Sequence, residues 1–232
     1  MAGIFTHLVI AKEILKLLPK GTIIEEGLFY AGAIAPDAIH AREGFVRAEK
    51  KHTHFRDEIL DKDFGLEENL ALFHSRVAGF ILDSREKKDG FLDLYRGYVV
   101  HVLTDELFIL TARQEFCNVM EQLGIAQLDK EFYYNILTDM NRNDILLTRN
   151  YRGTEEIKAQ LEQVSTHQIE GFLSEVEINN SREWVIYRYF YEEHELLEPI
   201  YITYERTLEF IEMATKDIAM RLTEGESLPR MF

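Results

Sequence analysis

Gly97-Tyr98-Val99-Val100-His101-Val102-Leu103-Thr104-Asp105-Glu106-Leu107-Phe108 is the stretch on which the reading of this chain turns. Around it Phe91, Leu94, Tyr98, Val102, Phe108, Ala112 and Phe116 recur at spacings of three, four or their multiples, the pattern of a helix. His101 and Asp105 are four apart, so on that helix they stand one above the other on a single face. At about 100° per residue this face coincides with the apolar stripe that begins at Phe91, Leu94 and Tyr98. An aspartate among buried aromatic rings costs several kcal/mol unless a cation or strong donors face it. A divalent metal held by both side chains removes that cost; a buried His–Asp hydrogen bond without metal is the other arrangement the spacing allows. The pair alone does not separate the two.

Outward from this stretch the chain continues to read as helix. Thr6 is placed to cap a first helix running to about Leu18, which Pro19 and Gly21 end. The apolar run Leu28 to Ala35 leads into Pro36-Asp37. Residues before a proline avoid helical angles, so Asp37 is expected just past a break, on an ordered loop. Residues 41–53 are basic and polar and read as an exposed loop. Two long helices are expected at about 67–86 and 89–122, and further ones near 129–147, 154–176, 181–196 and 199–223. Alternating strand patterns are missing. The expected fold class is therefore all-α, a multi-helix single domain over 1–232. The metal-site half is about 1–125 and the helical, acidic and aromatic-rich half about 126–232. In that second half Trp184, Tyr187, Tyr189, Phe190, Tyr191, Tyr201 and Tyr204 crowd together, as helix-packing surface does. Rings left exposed there would mark a groove for a partner or substrate.

The bulk numbers narrow the function classes. A chain of 232 residues, 46% hydrophobic and 29% charged, has the composition of an ordinary soluble domain. A formal charge of −15 argues against holding nucleic acid or anionic lipid by surface electrostatics, so no stable nucleic-acid binding is expected. It leaves a phosphate substrate open, because a metal's own charge dominates its site. The single cysteine, Cys117, excludes an internal disulfide framework and suits a reducing compartment. No apolar run approaches the roughly 18 residues of a membrane span. Before the first apolar residues there is no basic region, and Lys12 and Glu13 cut the run short, so no secretion signal is read. The expected location is cytoplasmic.

Six of the eight histidines fall within the first 101 residues. The candidates are His7 on the first helix, Asp37 and His40 after the Ala-Pro break, His52 or His54, and the His101/Asp105 pair. Zinc and similar metals take imidazole nitrogens and carboxylate oxygens, and a catalytic site keeps one position for water. Each candidate has a plainer use. His7 could be a satisfied, half-buried histidine, and Asp37 could cap the next turn. One of His52 and His54 faces solvent, because alternate positions outside a helix point in opposite directions. His40 could orient a ligand or a phosphate. His194 and Glu198, four apart, could share a solvated helix face, as could His167 and Glu170.

Taken together, Thr6-His7, Gly32-Ala33-Ile34-Ala35-Pro36-Asp37, His54-Phe55-Arg56-Asp57 and His101-Val102-Leu103-Thr104-Asp105 resemble, in order and approximate spacing, the metal-binding segments of the zinc-dependent phospholipases C. The trinuclear-zinc, single-strand-specific nucleases share that fold. The resemblance covers about the first half of the chain. It implies an all-helical fold in which His54, His101 and Asp105 hold one zinc with Asp37 beside it, and Asp105 bridges to a second zinc bound by His7. It also implies hydrolysis of a small-molecule or lipid phosphate ester by metal-activated water, with Asp37 or a metal-bound hydroxide as base. Departures from the family pattern lower the expected metal count to one or two ions, zinc or another divalent metal. No histidine lies between His101 and His167, and six residues precede His7 where the secreted enzymes have a processed amine. His194 with Glu198 has the internal spacing of half of the missing third site but lies much further along. Arg42, Arg47, Lys50 and Lys51 could meet the non-reacting phosphate oxygens, or be solvated. Two other functions stay open: a helical metal-binding protein whose structural or vestigial site serves protein partners, and another helical metal-dependent phosphohydrolase acting on nucleotides. The His-Asp dipeptide of one large helical phosphohydrolase family is missing.

Overall fold

The computed structural model describes residues 2–225 and 227–232. Among them regular structure is helical, apart from one isolated bridge between Ile169 and Leu173, so the chain is all-α as expected. In order come α1 (Ile4–Leu17), α2 (Glu26–Ile34), a 3-10 segment (Ala35–Ala41) and α3 (Arg47–Thr53). They are followed by a short 3-10 turn (Asp61–Asp63), α4 (Glu67–Glu86), α5 (Leu92–Leu110) and α6 (Ala112–Gln122). The second half holds α7 (Lys130–Asn150), α8 (Thr154–Gln163), α9 (Glu175–Ile186), a π-turn (Tyr187–Tyr191) and α10 (Tyr204–Glu224). One hydrophobic core runs from Ala2 to Met231, so the two halves share it. No helix among the described residues is long and apolar enough to cross a membrane.

Helix α5 is the axis of the fold. Every residue from Gly97 to Glu106 is buried, so the helix is covered all round rather than along one stripe. It packs against α1, α2, α4, α6 and α10. The closest packing, against α2, depends on two glycines. A Cβ on Gly97 would lie 2.0 Å from the carbonyl oxygen of Phe29, and one on Gly32 would lie 2.1 Å from that of Leu94. The two backbones touch because neither position carries a side chain. One turn beyond Gly97, this crossing brings His101 against the carbonyl of Ala33.

Several boundaries differ from expectation, each for a local reason. Ala35, just before Pro36, stays helical at φ −62°, ψ −41°, and the chain tightens into 3-10 geometry instead of breaking. Proline at the start of that segment lacks only an N–H that a first turn leaves unpaired. Residues 47–53 are helix α3 rather than loop. The expected 89–122 helix divides at Thr111 (φ −124°, ψ −95°), whose hydroxyl donates to Leu107 O at 2.6 Å. Thr6 does not cap α1. Gly3 occupies the cap position, and the N–H groups are met from α7, where Asp144 accepts from Phe5 N (3.0 Å), Thr6 N (3.0 Å) and the Thr6 hydroxyl (2.9 Å).

Two more buried aspartates serve backbone in the same way. Asp93 accepts from Ile24 N and Glu25 N at 2.9 Å each, ahead of α2. Asp139 accepts from the N–H groups of Ile200, Tyr201 and Ile202 at 2.8, 2.6 and 2.9 Å. Against these three, Asp37 and Asp105 stand out for what they face.

Candidate metal centre

Four elements deliver imidazole and carboxylate groups to one buried point. His7 comes from α1, Asp37 from the 3-10 segment, His54 from the residue that ends α3, and His101 with Asp105 from α5. All five are buried, the two imidazoles of His7 and His101 completely. The His7 ring stacks on that of His101 at 3.8 Å and 6°. Asp105 straddles the group. Its Oδ1 lies 3.4 Å from His7 Nε2, while Oδ2 lies 3.5 Å from His54 Nε2 and 4.0 Å from His101 Nε2. His54 Nε2 is also 3.4 Å from Asp37 Oδ1. Ligand atoms of His7, His101 and Asp105 all lie within 4.8 Å of one another, and so do those of Asp37, His54 and His101.

Hydrogen-bond logic fixes the ring tautomers. His101 Nδ1 lies 2.7 Å from the carbonyl of Ala33, and His54 Nδ1 lies 2.8 Å from that of Lys50. Carbonyl oxygen only accepts, so each Nδ1 carries the hydrogen, and in a neutral ring Nε2 is a bare lone pair. Burial pushes the pKa of both rings down, that of His101 well below the usual histidine value, which favours neutral rings. The two Nε2 atoms nevertheless face each other at 3.3 Å, with carboxylate oxygens on their other sides.

Further acceptors and unpaired atoms meet there. Both ring nitrogens of His7 and Oδ2 of Asp105 are buried without a hydrogen-bond partner. Burial opposes the charge of Asp105, yet the imidazoles of His7 and His101 facing it help hold its carboxyl well below the usual range. For Asp37 burial is likewise outweighed by Lys50 and His54. Two anions and lone pairs from three imidazoles thus converge at one buried point. This nitrogen and oxygen donor set suits a dication, and backbone carbonyls already orient two of its rings from behind.

The surroundings hold the centre in place. Tyr98 donates its hydroxyl to the carbonyl of Thr53, fixing the residue before His54, and the Thr53 hydroxyl donates to Pro36 O at 3.0 Å. The N–H of Ala2 donates to Asp105 Oδ1 at 2.9 Å. Lys50 donates to Asp37 Oδ1 and to His40 Nε2, the latter at 3.0 Å, so His40 adjoins the centre through a lysine.

Three candidates lie elsewhere, and their expected part in the centre is corrected. His52 is half exposed, with Nδ1 2.8 Å from Asp57, Nε2 3.1 Å from Gly171 O and its ring stacked on Phe172. One turn of α3 separates the inward Lys50 from His54, while His52 points away. His194 has both nitrogens on Arg188, at 3.1 Å from its guanidinium and 2.6 Å from its carbonyl. Glu198 is exposed, and its carbonyl accepts from Arg142 at 3.1 Å. The third metal position that His194 and Glu198 suggested has no counterpart there.

A pocket of about 380 Å³ opens beside the centre, with His54 and Lys50 in the wall they share. Arg47, Lys51, Arg56 and Arg113 also line it, against the single carboxylate of Asp61. Of the four basic residues expected on a loop, Arg47, Lys50 and Lys51 reach this pocket. Arg42 turns away to Glu177 and Glu49 at 2.5 and 2.9 Å. Sequence reasoning missed Arg56, Arg113, Ala2 and the inward direction of Lys50. The four-residue spacing of Lys50 and His54 would have shown the last of these, had 47–53 been read as helix.

Comparison of the chain with protein-family models, curated proteins and solved structures returns no match. Fold and centre define the class on their own: an all-helical protein whose interior carries two overlapping His/Asp groups, either of which could hold a metal ion.

Proposed function

We propose that the protein is a metal-dependent hydrolase of phosphate esters, zinc being the metal its donor set suits best, in the manner of the zinc-dependent phospholipases C whose segment order it resembles. The observation that carries this reading is the pair of bare Nε2 lone pairs of His54 and His101, 3.3 Å apart among carboxylate oxygens and next to an open, cationic pocket. A structural metal needs the first of these features and has no use for the second. The reaction is placed in the cytoplasm, a location the single buried thiol of Cys117 supports.

His54, His101 and Asp105 would hold one ion with Asp37 beside it, and His7 with the far oxygen of Asp105 would hold a second. A dication there supplies a Lewis acid for a phosphoryl oxygen and lowers the pKa of water towards roughly 7. The chain's own groups do the rest. Lys50 and Arg56 offer N–H donors to the non-reacting oxygens of a phosphate in the pocket. Asp37, anionic and tied to Lys50, can accept a proton or orient a water. Its lowered proton affinity favours orientation.

Metal analysis of the purified protein, with chromogenic phosphate mono- and diesters as substrates, tests the reading. Zinc near stoichiometry and turnover are expected in the wild type, and loss of both in Asp105→Asn. Full metal occupancy in that variant overturns the ligand assignment. Bound zinc with no turnover of any ester overturns the hydrolase and leaves a structural centre.

A further inference from the structure

The pocket carries more positive charge than one phosphate needs. Five cations line it, Arg47, Lys50, Lys51, Arg56 and Arg113, in a chain whose formal charge is −15. Asp61 is shared by three of them, at 2.7 Å from Arg56, 3.4 Å from Arg47 and 4.0 Å from Lys51. Arg113 has no carboxylate within ion-pair distance among the described residues, and its guanidinium lies 5.9 Å from the Phe132 ring centroid. Arg56 is largely buried, and its Nε has no hydrogen-bond partner. Cations drawn from α3, the segment after it and α6 are thus held together against their own repulsion, an arrangement that an anion relieves.

The rest of the lining is largely apolar. Phe132, Ile136 and Met140 succeed one another at four-residue intervals on α7, joined by Ile109 from α5 and Tyr133. A volume of about 380 Å³ suits a small organic molecule. We propose that this pocket recognises a second anionic group, carboxylate, sulfonate or phosphate, on a substrate with an apolar or aromatic body. The ester hydrolysed then carries a fixed negative charge besides the reacting phosphate. The substrate assignment rests on the hydrolase reading above; the anion pocket does not.

Two measurements separate the inference from that reading. The first is calorimetric binding of naphthalene-1,5-disulfonate and naphthalene-1-sulfonate to the metal-stripped protein. The disulfonate is expected to bind about tenfold more tightly or better, the scale of one desolvated charge pair. Arg47→Gln/Arg113→Gln should abolish that preference, and Arg47→Lys/Arg113→Lys should keep most of it. Equal binding of the two probes by the wild type, or a preference that survives the glutamine pair, overturns the pocket. The second is the ratio of kcat/KM for 4-carboxyphenyl phosphate to that for phenyl phosphate. A ratio of about ten is expected in the wild type, falling towards one in the glutamine pair. Turnover with a wild-type ratio near one overturns the second-anion inference and leaves the hydrolase. A disulfonate preference without turnover of either ester supports the anion pocket and overturns the hydrolase.

Discussion

The Nε2 atoms of His54 and His101 meet at 3.3 Å although each ring has committed its one hydrogen to a carbonyl behind it. Neutral rings in this pose repel, and protonated rings are disfavoured by burial, so a shared cation is the arrangement that satisfies both. Removal of one ligand should therefore be felt in metal affinity before it is felt in fold. His101→Gln is expected to weaken zinc binding by about 100-fold or more, at or beyond the cost of losing a supporting partner. Competition with a chromogenic chelator measures this. Unchanged affinity would mean that the ion sits elsewhere.

Acidity should unload the centre and loosen the fold together. In the unfolded chain His54 and His101 take up protons near 6.5; in the folded protein burial holds both below that value. The unfolded state binds more protons as pH falls below about 6.5, so stability present above that pH is lost on acidification. Asp37 and Asp105, held below 3.8 in the fold, act in the same direction at lower pH. The metal-stripped protein should show a Tm that declines as pH is lowered from about 7 to 5. Zinc, which requires neutral imidazoles, should move that decline to lower pH. A Tm independent of pH over this range would contradict the neutral-ring assignment.

The Gly32–Gly97 contact leaves no room for a methyl group. Gly97→Ala would drive Cβ to 2.0 Å from the Phe29 carbonyl oxygen, backbone against backbone. The expected cost is about 3 kcal/mol, the upper end of ordinary overpacking, with weaker zinc binding because His101 moves with its helix. Gly79→Ala in α4 meets nothing within 4 Å and should stabilise by roughly 0.5–1 kcal/mol. Chemical denaturation of both variants provides the comparison.

Asp144 lies 138 residues from Thr6 and holds two N–H groups and a hydroxyl at the start of α1, and the Oδ2 that accepts from Phe5 N also accepts from the Tyr189 hydroxyl at 3.0 Å. Asp144→Ala strands those buried donors and should cost about 3 kcal/mol. It should also reduce zinc binding at the His7 position. Asp139→Ala, which strands the N–H groups of residues 200–202, should lower stability without that effect. Paired denaturation and zinc titration check the distinction, and equal metal loss in both variants would refute it.

Much of this was legible because periodicity reports burial. The 3.6-residue pattern around His101 and Asp105 located α5, and the order of four short segments located the five residues that meet. Other features carry no periodic signal. Asp144 and Asp139 look like any helical aspartate until their distant N–H partners are in view. The cationic pocket joins residues 47–56 to Arg113, a proximity only the packed fold creates. His194 and Glu198 had suitable spacing, but spacing does not reveal that Arg188 already occupies the imidazole. The aromatic cluster divided: Tyr189 is buried, while Trp184, Tyr187 and Tyr191 remain exposed.

The tie between Asp144 and the first turn of α1 has a consequence for biosynthesis. Every side chain of the centre is synthesised before residue 144, yet the helix carrying His7 is seated by that later aspartate. Ion capture at the His7 position would thus be deferred until most of the polypeptide exists. Nascent chains that end short of Asp144, tethered by a flexible extension long enough to clear the exit tunnel, should release zinc to a chelator far more readily than finished ones, and equal retention would show that the early segments assemble unaided.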